Sequence, residues 1–170
     1  MEMSSELPSG AHQRLEDALH RGLGRAVILF SQLDLNISLC LQSLETETDA
    51  LVARTRIDRL SMKEKLDDLQ HVIASKFKGS HPKLVSDLDR WFSKASEIRD
   101  LRNSFIHGRW GISPVLKEIC FVPGGLPGGT AESSRERRYQ LSQFEEKIEG
   151  LATLLNEFGD LRKTYRMAGL

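Results

Sequence analysis

Long amphipathic segments limit this chain to a mainly helical fold. Over residues 15–44, apolar residues recur every three or four positions, which is the spacing of one face of an α-helix. Similar stripes run over residues 66–77, 84–106 and 144–161. Because each stripe must be buried against another element, we predict a bundle of about four to five helices.

Two glycines, Gly22 and Gly24, interrupt the first stripe. An interior glycine destabilises a helix by about 1 kcal/mol relative to alanine. We therefore expect either a bend at these positions or the close approach of another helix.

Local signals predict several helix boundaries. Ser61 with Glu64, and Ser142 with Glu145, fit the capping box, in which a hydroxyl and a carboxylate satisfy backbone N–H groups at a helix start. Residues 45–59 have fewer apolar anchors, so we predict a connection there with one helical turn over residues 49–54.

A β-hairpin is predicted before the last helix. Residues 115–122 are rich in β-formers, and residues 135–140 would return as the second strand. The intervening VPGGLPGGT has the Gly-Gly and Pro-Gly pairs of a flexible loop and lacks the Gly-Lys-Ser/Thr ending of a P-loop. We place the hairpin insertion at about residues 113–140.

The composition of the 170 residues indicates one soluble globular domain. We expect it to cover residues 11–170, after a disordered N-terminus over residues 1–10. No secretion signal is evident, and the longest uninterrupted apolar run, residues 26–30, is too short to cross a bilayer. We therefore predict a cytoplasmic protein without membrane contact. Cys40 and Cys120 are predicted to be buried and reduced.

The chemically richest segment is EIRDLRNSFIHGRW, residues 97–110. Its arginines offer a permanently charged fork suited to phosphate, and its histidine can gain or lose a proton near neutral pH. This combination favours phosphodiester chemistry. The structural alternative is that these cations bind the last carbonyl groups of a helix, which is a common role in a final turn.

The spacing within this segment restricts how its side chains can meet. Arg99, Asn103 and His107 lie four residues apart and share one helix face. Arg102 and His107 are about 140° apart around a helix, so they converge only through arginine's reach, distortion at the helix end or a second copy of the chain. Gly108 predicts that His107 lies in the last turn, where the helix dipole favours a cation.

The string RNSFIH, residues 102–107, resembles the R-polar-x3-H motif of the HEPN superfamily, and HGRW resembles the H-G-x-W continuation of many bacterial members. This superfamily of small helical proteins includes metal-independent endoribonucleases and toxins of toxin–antitoxin pairs. The resemblance implies a HEPN-like bundle and a homodimer whose two motifs face each other across a cleft. It further implies an RNA substrate and an antitoxin or other protein partner.

The resemblance also implies roles for individual residues. His107 would take or orient the proton of a ribose 2′-hydroxyl, Arg102 would stabilise charge on the phosphoryl oxygens, and Asn103 would position one or both. The product would be a 2′,3′-cyclic phosphate. Arg99 would support the site, although an ordinary surface charge is the alternative for this residue.

Asp34 is a further candidate, because related proteins often place an acidic residue on the first helix near the motif. An unpartnered carboxylate within an apolar stripe is unfavourable, so a buried Asp34 needs a cation such as Arg102 or His107. Alternatively, Asp34 lies at the solvent edge of the stripe.

No metal or cofactor is predicted, because the five histidines are scattered and no nucleotide-binding or serine-hydrolase signature occurs. The 24 basic residues balance 24 acidic ones, so any contact with RNA must be local. Arg135, Arg137 and Arg138 either line an RNA cleft or protect a hairpin edge with charge. The second function left open is a non-catalytic HEPN-like dimer that binds a protein or nucleotide.

Overall fold

The computed structural model describes residues 10–45, 49–113, 115–122 and 136–165, without the side chains of residues 98–101 and 104. These residues are mainly helical, as predicted. Their elements follow in chain order: α1 (Gly10–Leu44), α2 (Ala50–Asp58), α3 (Met62–Phe77), α4 (Pro82–His107), β1 (Arg109–Ser113), β2 (Glu118–Val122), β3 (Arg137–Tyr139) and α5 (Leu141–Thr164).

The helix starts show which local signals act. At α3 both bonds of the capping box between Ser61 and Glu64 are present, as predicted. At α5 the prediction for Ser142 and Glu145 is wrong: the helix begins at Leu141, and the side chain of Gln143 accepts the Gln140 backbone N–H at 3.0 Å. The predicted single turn over residues 49–54 is the longer helix α2, which begins after Asp49.

The described residues form two compact units. The first, here called the sheet unit, comprises the described residues up to Val27 and residues 103–149. The second, here called the helical unit, comprises residues 28–102 and the described residues from Gly150 onward. The single domain over residues 11–170 stays a prediction. Of the N-terminus expected to be disordered, residues 1–9 lie outside the described residues, and Gly10 already belongs to α1.

The helical unit has a core of apolar side chains from α1 to α5. Its largest buried residue is Trp91, whose indole stacks on Phe158 with ring centroids 4.5 Å apart. The Trp91 Nε1–H donates to the backbone oxygen of Leu154 at 3.0 Å. This tryptophan therefore contributes both apolar burial and a satisfied hydrogen bond.

The sheet unit contains a three-stranded antiparallel sheet in the order β1-β2-β3. The pairing of Ile119 with Tyr139 confirms the predicted hairpin, although its tip, residues 123–135, lies outside the described residues. The sheet also contains a strand that was not predicted, β1, which begins at Arg109, before the predicted start of the insertion near residue 113. Val115 lies in the turn after β1 and is exposed, and Lys117 turns the chain with φ of 54°.

One face of this sheet is aromatic. Trp110, Phe121 and Arg137 form one row across the three strands, and Ile112, Ile119 and Tyr139 form the next. The aromatic rings pack against Phe105 of α4 and Phe144 of α5, both buried. This packing joins the end of α4 to the sheet.

One of the two glycines of α1 permits close packing. A Cβ placed on Gly22 would lie 2.8 Å from Cζ of Phe144 and closer still to its Cε1, whereas a Cβ on Gly24 would meet nothing within 4 Å. The expected close approach of another helix is therefore present at Gly22 only.

Within the described residues, α1 is one helix that is long and apolar enough, by length and composition, to span a membrane. A core helix of a soluble protein passes the same test. Ile37, Cys40 and Leu41 of α1 are fully buried within the helical unit.

Candidate functional site

His107 is the last residue of α4, as Gly108 predicts, and its side chain is exposed. Asn103, one turn earlier, is also exposed. Both residues belong to the sheet unit, and neither side chain has a hydrogen bond or ion pair among the described residues. Two polar side chains are therefore exposed at the C-terminal end of this helix.

Arg102 is half-buried and belongs to the helical unit, because the division between the units falls between Arg102 and Asn103. The backbone of Arg99 is helical, but its side chain lies outside the described residues. The convergence of Arg102 with His107, and the supporting role of Arg99, stay predictions.

The final turn of α4 is held by aromatic packing. Phe105, two residues before His107, is buried, and its ring centroid lies 5.0 Å from that of Trp110, three residues after His107. Trp110 also contacts Phe121 at 4.8 Å and Phe144 at 5.5 Å. A polar residue flanked by two packed rings has a fixed backbone, which is the condition for precise positioning of a reactive side chain.

Trp110 has an unusual feature within this packing. Its Nε1 is enclosed, yet it has no hydrogen-bond partner among the described residues. A buried indole N–H usually finds an acceptor. The position of Trp110 is therefore set by its aromatic contacts and not by a hydrogen bond to a described residue.

The cationic partner of Asp34 is Lys65, and not Arg102 or His107 as expected. In the helical unit, Nζ of Lys65 donates to both carboxylate oxygens of Asp34, at 3.0 and 2.9 Å. The side chain of Lys65 is 6% exposed and that of Asp34 is 43% exposed. The carboxylate thus lies at the solvent edge, as one interpretation held, and neutralises a buried ammonium group.

The sequence contains a signal for Lys65 that was missed. Lys65, Leu69 and Ile73 are four residues apart on α3, and all three are buried. A lysine inside an apolar stripe indicates a buried cation, which requires an acidic partner.

The arginines of the hairpin make local contacts. The guanidinium of Arg137 lies 5.9 Å from the centroid of the Phe121 ring. Nε of Arg138 donates to Glu136 at 2.9 Å, and this bond raises the pKa of Arg138 and lowers that of Glu136. Arg135 lies outside the described residues.

The two cysteines and the described potential metal ligands give little support for thiolate or metal chemistry. Cys40 is buried, and burial raises its pKa to about 11, so it stays a thiol at neutral pH. Cys120 is only half-buried, so the prediction that it is buried is wrong; partial burial still raises its pKa. No group of three potential metal ligands occurs within the described ranges.

Comparison of the chain with protein-family models, with curated proteins and with solved structures finds no match.

Proposed function

We propose that this protein is a metal-independent endoribonuclease of the HEPN type, acting as a toxin or defence protein. The proposal is motivated by the resemblance of residues 102–110 to the HEPN motif. The observation that carries it is the exposed side chain of His107 at the last position of α4, on a turn fixed by Phe105 and Trp110.

The chemistry follows from the residue types. His107 takes the proton of a ribose 2′-hydroxyl, and the 2′-oxygen attacks the adjacent phosphorus atom. The bond from phosphorus to the 5′-oxygen breaks, and that oxygen takes a proton from water and leaves as a 5′-hydroxyl, while His107 returns its proton to the solvent. Arg102 stabilises the charge on the non-bridging oxygens, and Asn103 positions the phosphate or the imidazole. The other product is a 2′,3′-cyclic phosphate.

A homodimer accompanies this mechanism, because Arg102 and His107 are about 140° apart around an ideal helix. A twofold axis would let each copy supply one of the two groups to a shared cleft. Mixing Arg102→Ala with His107→Ala protein should then restore about a quarter of the wild-type activity, since half of the random dimers carry one intact site. No recovery on mixing would contradict a site shared between subunits.

The test of the reaction uses one RNA strand and matched strands with single 2′-deoxy substitutions, in the presence of EDTA. We expect the all-ribose strand to be cleaved. Among the substituted strands, cleavage should be lost only where the missing 2′-hydroxyl belongs to the nucleotide on the 5′ side of the scissile bond. Indifference to the 2′-hydroxyl, or dependence on added metal, would remove this mechanism.

The second candidate, a dimeric binding module, is favoured by an apolar face on α1 in the helical unit. Ile28, Leu35 and Leu39 are 59%, 57% and 47% exposed, and they lie seven and four residues apart on one side of the helix. Exposed apolar groups of this kind mark protein–protein interfaces.

Expression in bacteria separates the two candidates. A nuclease toxin should arrest growth, and the arrest should disappear with His107→Ala. It should persist with Leu35→Lys, because the exposed apolar face of α1 has no part in the proposed cleavage. Harmless expression, with partner binding lost in Leu35→Lys and retained in His107→Ala, would favour the binding module.

A further inference from the structure

The sheet unit has an open groove between β3 and the first two turns of α5. Its volume is about 530 Å³, and it is lined by Arg138, Tyr139, Gln143, Glu146 and Lys147. Every lining residue has a polar or charged group, and one of them is aromatic. A groove with a ring and two cations suits a ligand that carries both a π-face and negative charge.

Tyr139 provides a fixed ring in this groove. It is half-buried, and its ring is nearly parallel to that of Trp110, with centroids 6.1 Å apart and an interplanar angle of 30°. Ile119, its partner on β2 and on the same face of the sheet, is buried. A ring held by packing loses little further freedom when a base stacks on it, so binding keeps most of the stacking energy.

Lys147 lies against the same ring, with its Nζ 5.4 Å from the Tyr139 centroid. A cation–π contact contributes about 0.5–1 kcal/mol at an exposed site and about 2 kcal/mol where it is desolvated, and Lys147 is half-buried. Stacking of a nucleobase on an aromatic side chain contributes about 1–3 kcal/mol. A base can therefore compete with the ammonium group for the ring, and the flexible lysine stem lets Nζ follow the adjoining phosphate.

Arg138 also lines the groove, but its side chain leaves β3 on the face opposite to Tyr139, and its Nε bonds to Glu136. Lys147 is therefore the cation beside the Tyr139 ring. Glu146 is the acidic residue of the groove, and it opposes a ligand that is negatively charged throughout. This mixture favours a ligand with separate aromatic and anionic parts over an acidic peptide.

The groove lies close to the motif along the chain. Trp110, which contacts Tyr139, is three residues after His107, and three residues span at most about 11 Å. A strand of RNA with one base on Tyr139 could therefore extend to His107 within a few nucleotides.

We infer that this groove binds single-stranded RNA, with a base stacked on Tyr139 and the adjoining phosphate held by Lys147. The inference rests on the proposed nuclease function and adds its substrate class. In a duplex the bases are already stacked and paired, so double-stranded RNA cannot occupy this site.

The test measures binding separately from cleavage, by fluorescence anisotropy of a labelled single-stranded 2′-O-methyl RNA that cannot be cut. Tyr139→Ala should weaken binding by about 5- to 150-fold, whereas Tyr139→Phe, which keeps the ring, should bind like wild type. A double-stranded competitor of the same sequence should displace the probe poorly.

Lys147→Gln should also weaken binding and reduce the slope of log K against log salt by about 0.7, the value for one phosphate contact to a single strand. The matched control is Arg14→Gln, which removes one exposed positive charge of the sheet unit outside the groove. If Tyr139→Ala unfolds by circular dichroism, Lys147→Gln against Arg14→Gln decides the outcome.

The results also separate this inference from the nuclease proposal. Binding that depends on Tyr139 and Lys147, without cleavage of the all-ribose strand, would keep the groove and remove the nuclease. Cleavage with binding unaffected by Tyr139→Ala and Lys147→Gln would keep the nuclease and overturn the groove. Equal affinity for single and double strands, or no binding by wild type, would also overturn the groove.

Discussion

The two tryptophans of this protein lie in different units and have opposite environments. In the helical unit, Trp91 is buried, stacks on Phe158 and donates its indole N–H to Leu154. In the sheet unit, Trp110 is half-buried and its Nε1 has no partner among the described residues. Unsatisfied buried groups are tolerated where function demands a particular geometry, and Trp110 lies beside the proposed site.

The helical unit also has an enclosed polar atom without a described partner, so the two units differ in degree. In the helical unit, Nε of Arg162 is also enclosed without a described partner, yet Nη1 of the same guanidinium donates to Oδ1 of Asn36 at 3.1 Å. The Trp110 side chain has a single hydrogen-bond donor, and that donor has no partner among the described residues. We therefore expect substitutions in the helical unit to act on stability, and substitutions around the end of α4 to act on activity.

The largest expected effect is that of His107→Ala on RNA cleavage. Loss of a general acid–base group should lower the rate by about 10²- to 10⁴-fold. The melting temperature should stay unchanged, because the His107 side chain is exposed. The matched control is His20→Ala, an exposed histidine of the same unit, which should cleave at the wild-type rate. Equal rates for the two variants would show that the site is misassigned.

Removal of Asp34 should have the largest effect on stability. Asp34→Ala leaves the ammonium of Lys65 buried without a counter-ion, which should lower the free energy of unfolding by about 2–3 kcal/mol. This loss is smaller than for a fully buried ion pair, because the Asp34 side chain is partly exposed. Lys65→Met removes the buried charge itself and should change the free energy by about 1 kcal/mol or less. Urea denaturation measures both, and the reverse ranking would contradict this account of the pair.

Two glycines of the sheet unit should respond in opposite directions to alanine. Gly22→Ala forces a methyl group against Phe144 and should destabilise the protein by about 1–3 kcal/mol. Gly24→Ala meets no neighbouring atom and should stabilise α1 by about 0.5–1 kcal/mol. Thermal unfolding of the pair measures the difference. A stabilising Gly22→Ala would mean that Phe144 does not pack as described.

The smallest expected effect is the difference in stability between Trp91→Phe and Trp110→Phe. Trp91→Phe loses the hydrogen bond to Leu154 as well as ring volume, whereas Trp110→Phe loses no hydrogen bond to a described residue. Trp91→Phe should therefore be more destabilising than Trp110→Phe by about 1 kcal/mol. Equal losses in urea denaturation would show that the two indole groups are equally satisfied.

The sequence predicted the features that depend on neighbours along the chain. The helical stripes, the capping box of α3 and the end of α4 at His107 all follow from contacts within one or two turns. The predicted start of α5 was misplaced because two capping patterns overlap there, one of Ser142 with Glu145 and one of Gln140 with Gln143. The second forms, and Gln143 accepts the backbone N–H of Gln140 directly after β3 ends.

The features that were missed depend on contacts between distant parts of the chain. Lys65 and Asp34 are 31 residues apart, and periodicity alone does not pair them. Strand β1 reads RWGIS, with a central glycine, and its extended form is fixed by pairing with β2 rather than by its own propensity. The groove needs β3 beside α5, which no local pattern specifies.

The central claim is that this protein cuts RNA through its 2′-hydroxyl, and the ends of the products test it most directly. Mass spectrometry of fragments made by the wild-type protein in EDTA should show 2′,3′-cyclic phosphates paired with 5′-hydroxyl ends, and neither should form with His107→Ala. Fragments with 3′-hydroxyl and 5′-phosphate ends, or cyclic phosphates formed equally by His107→Ala, would contradict the claim.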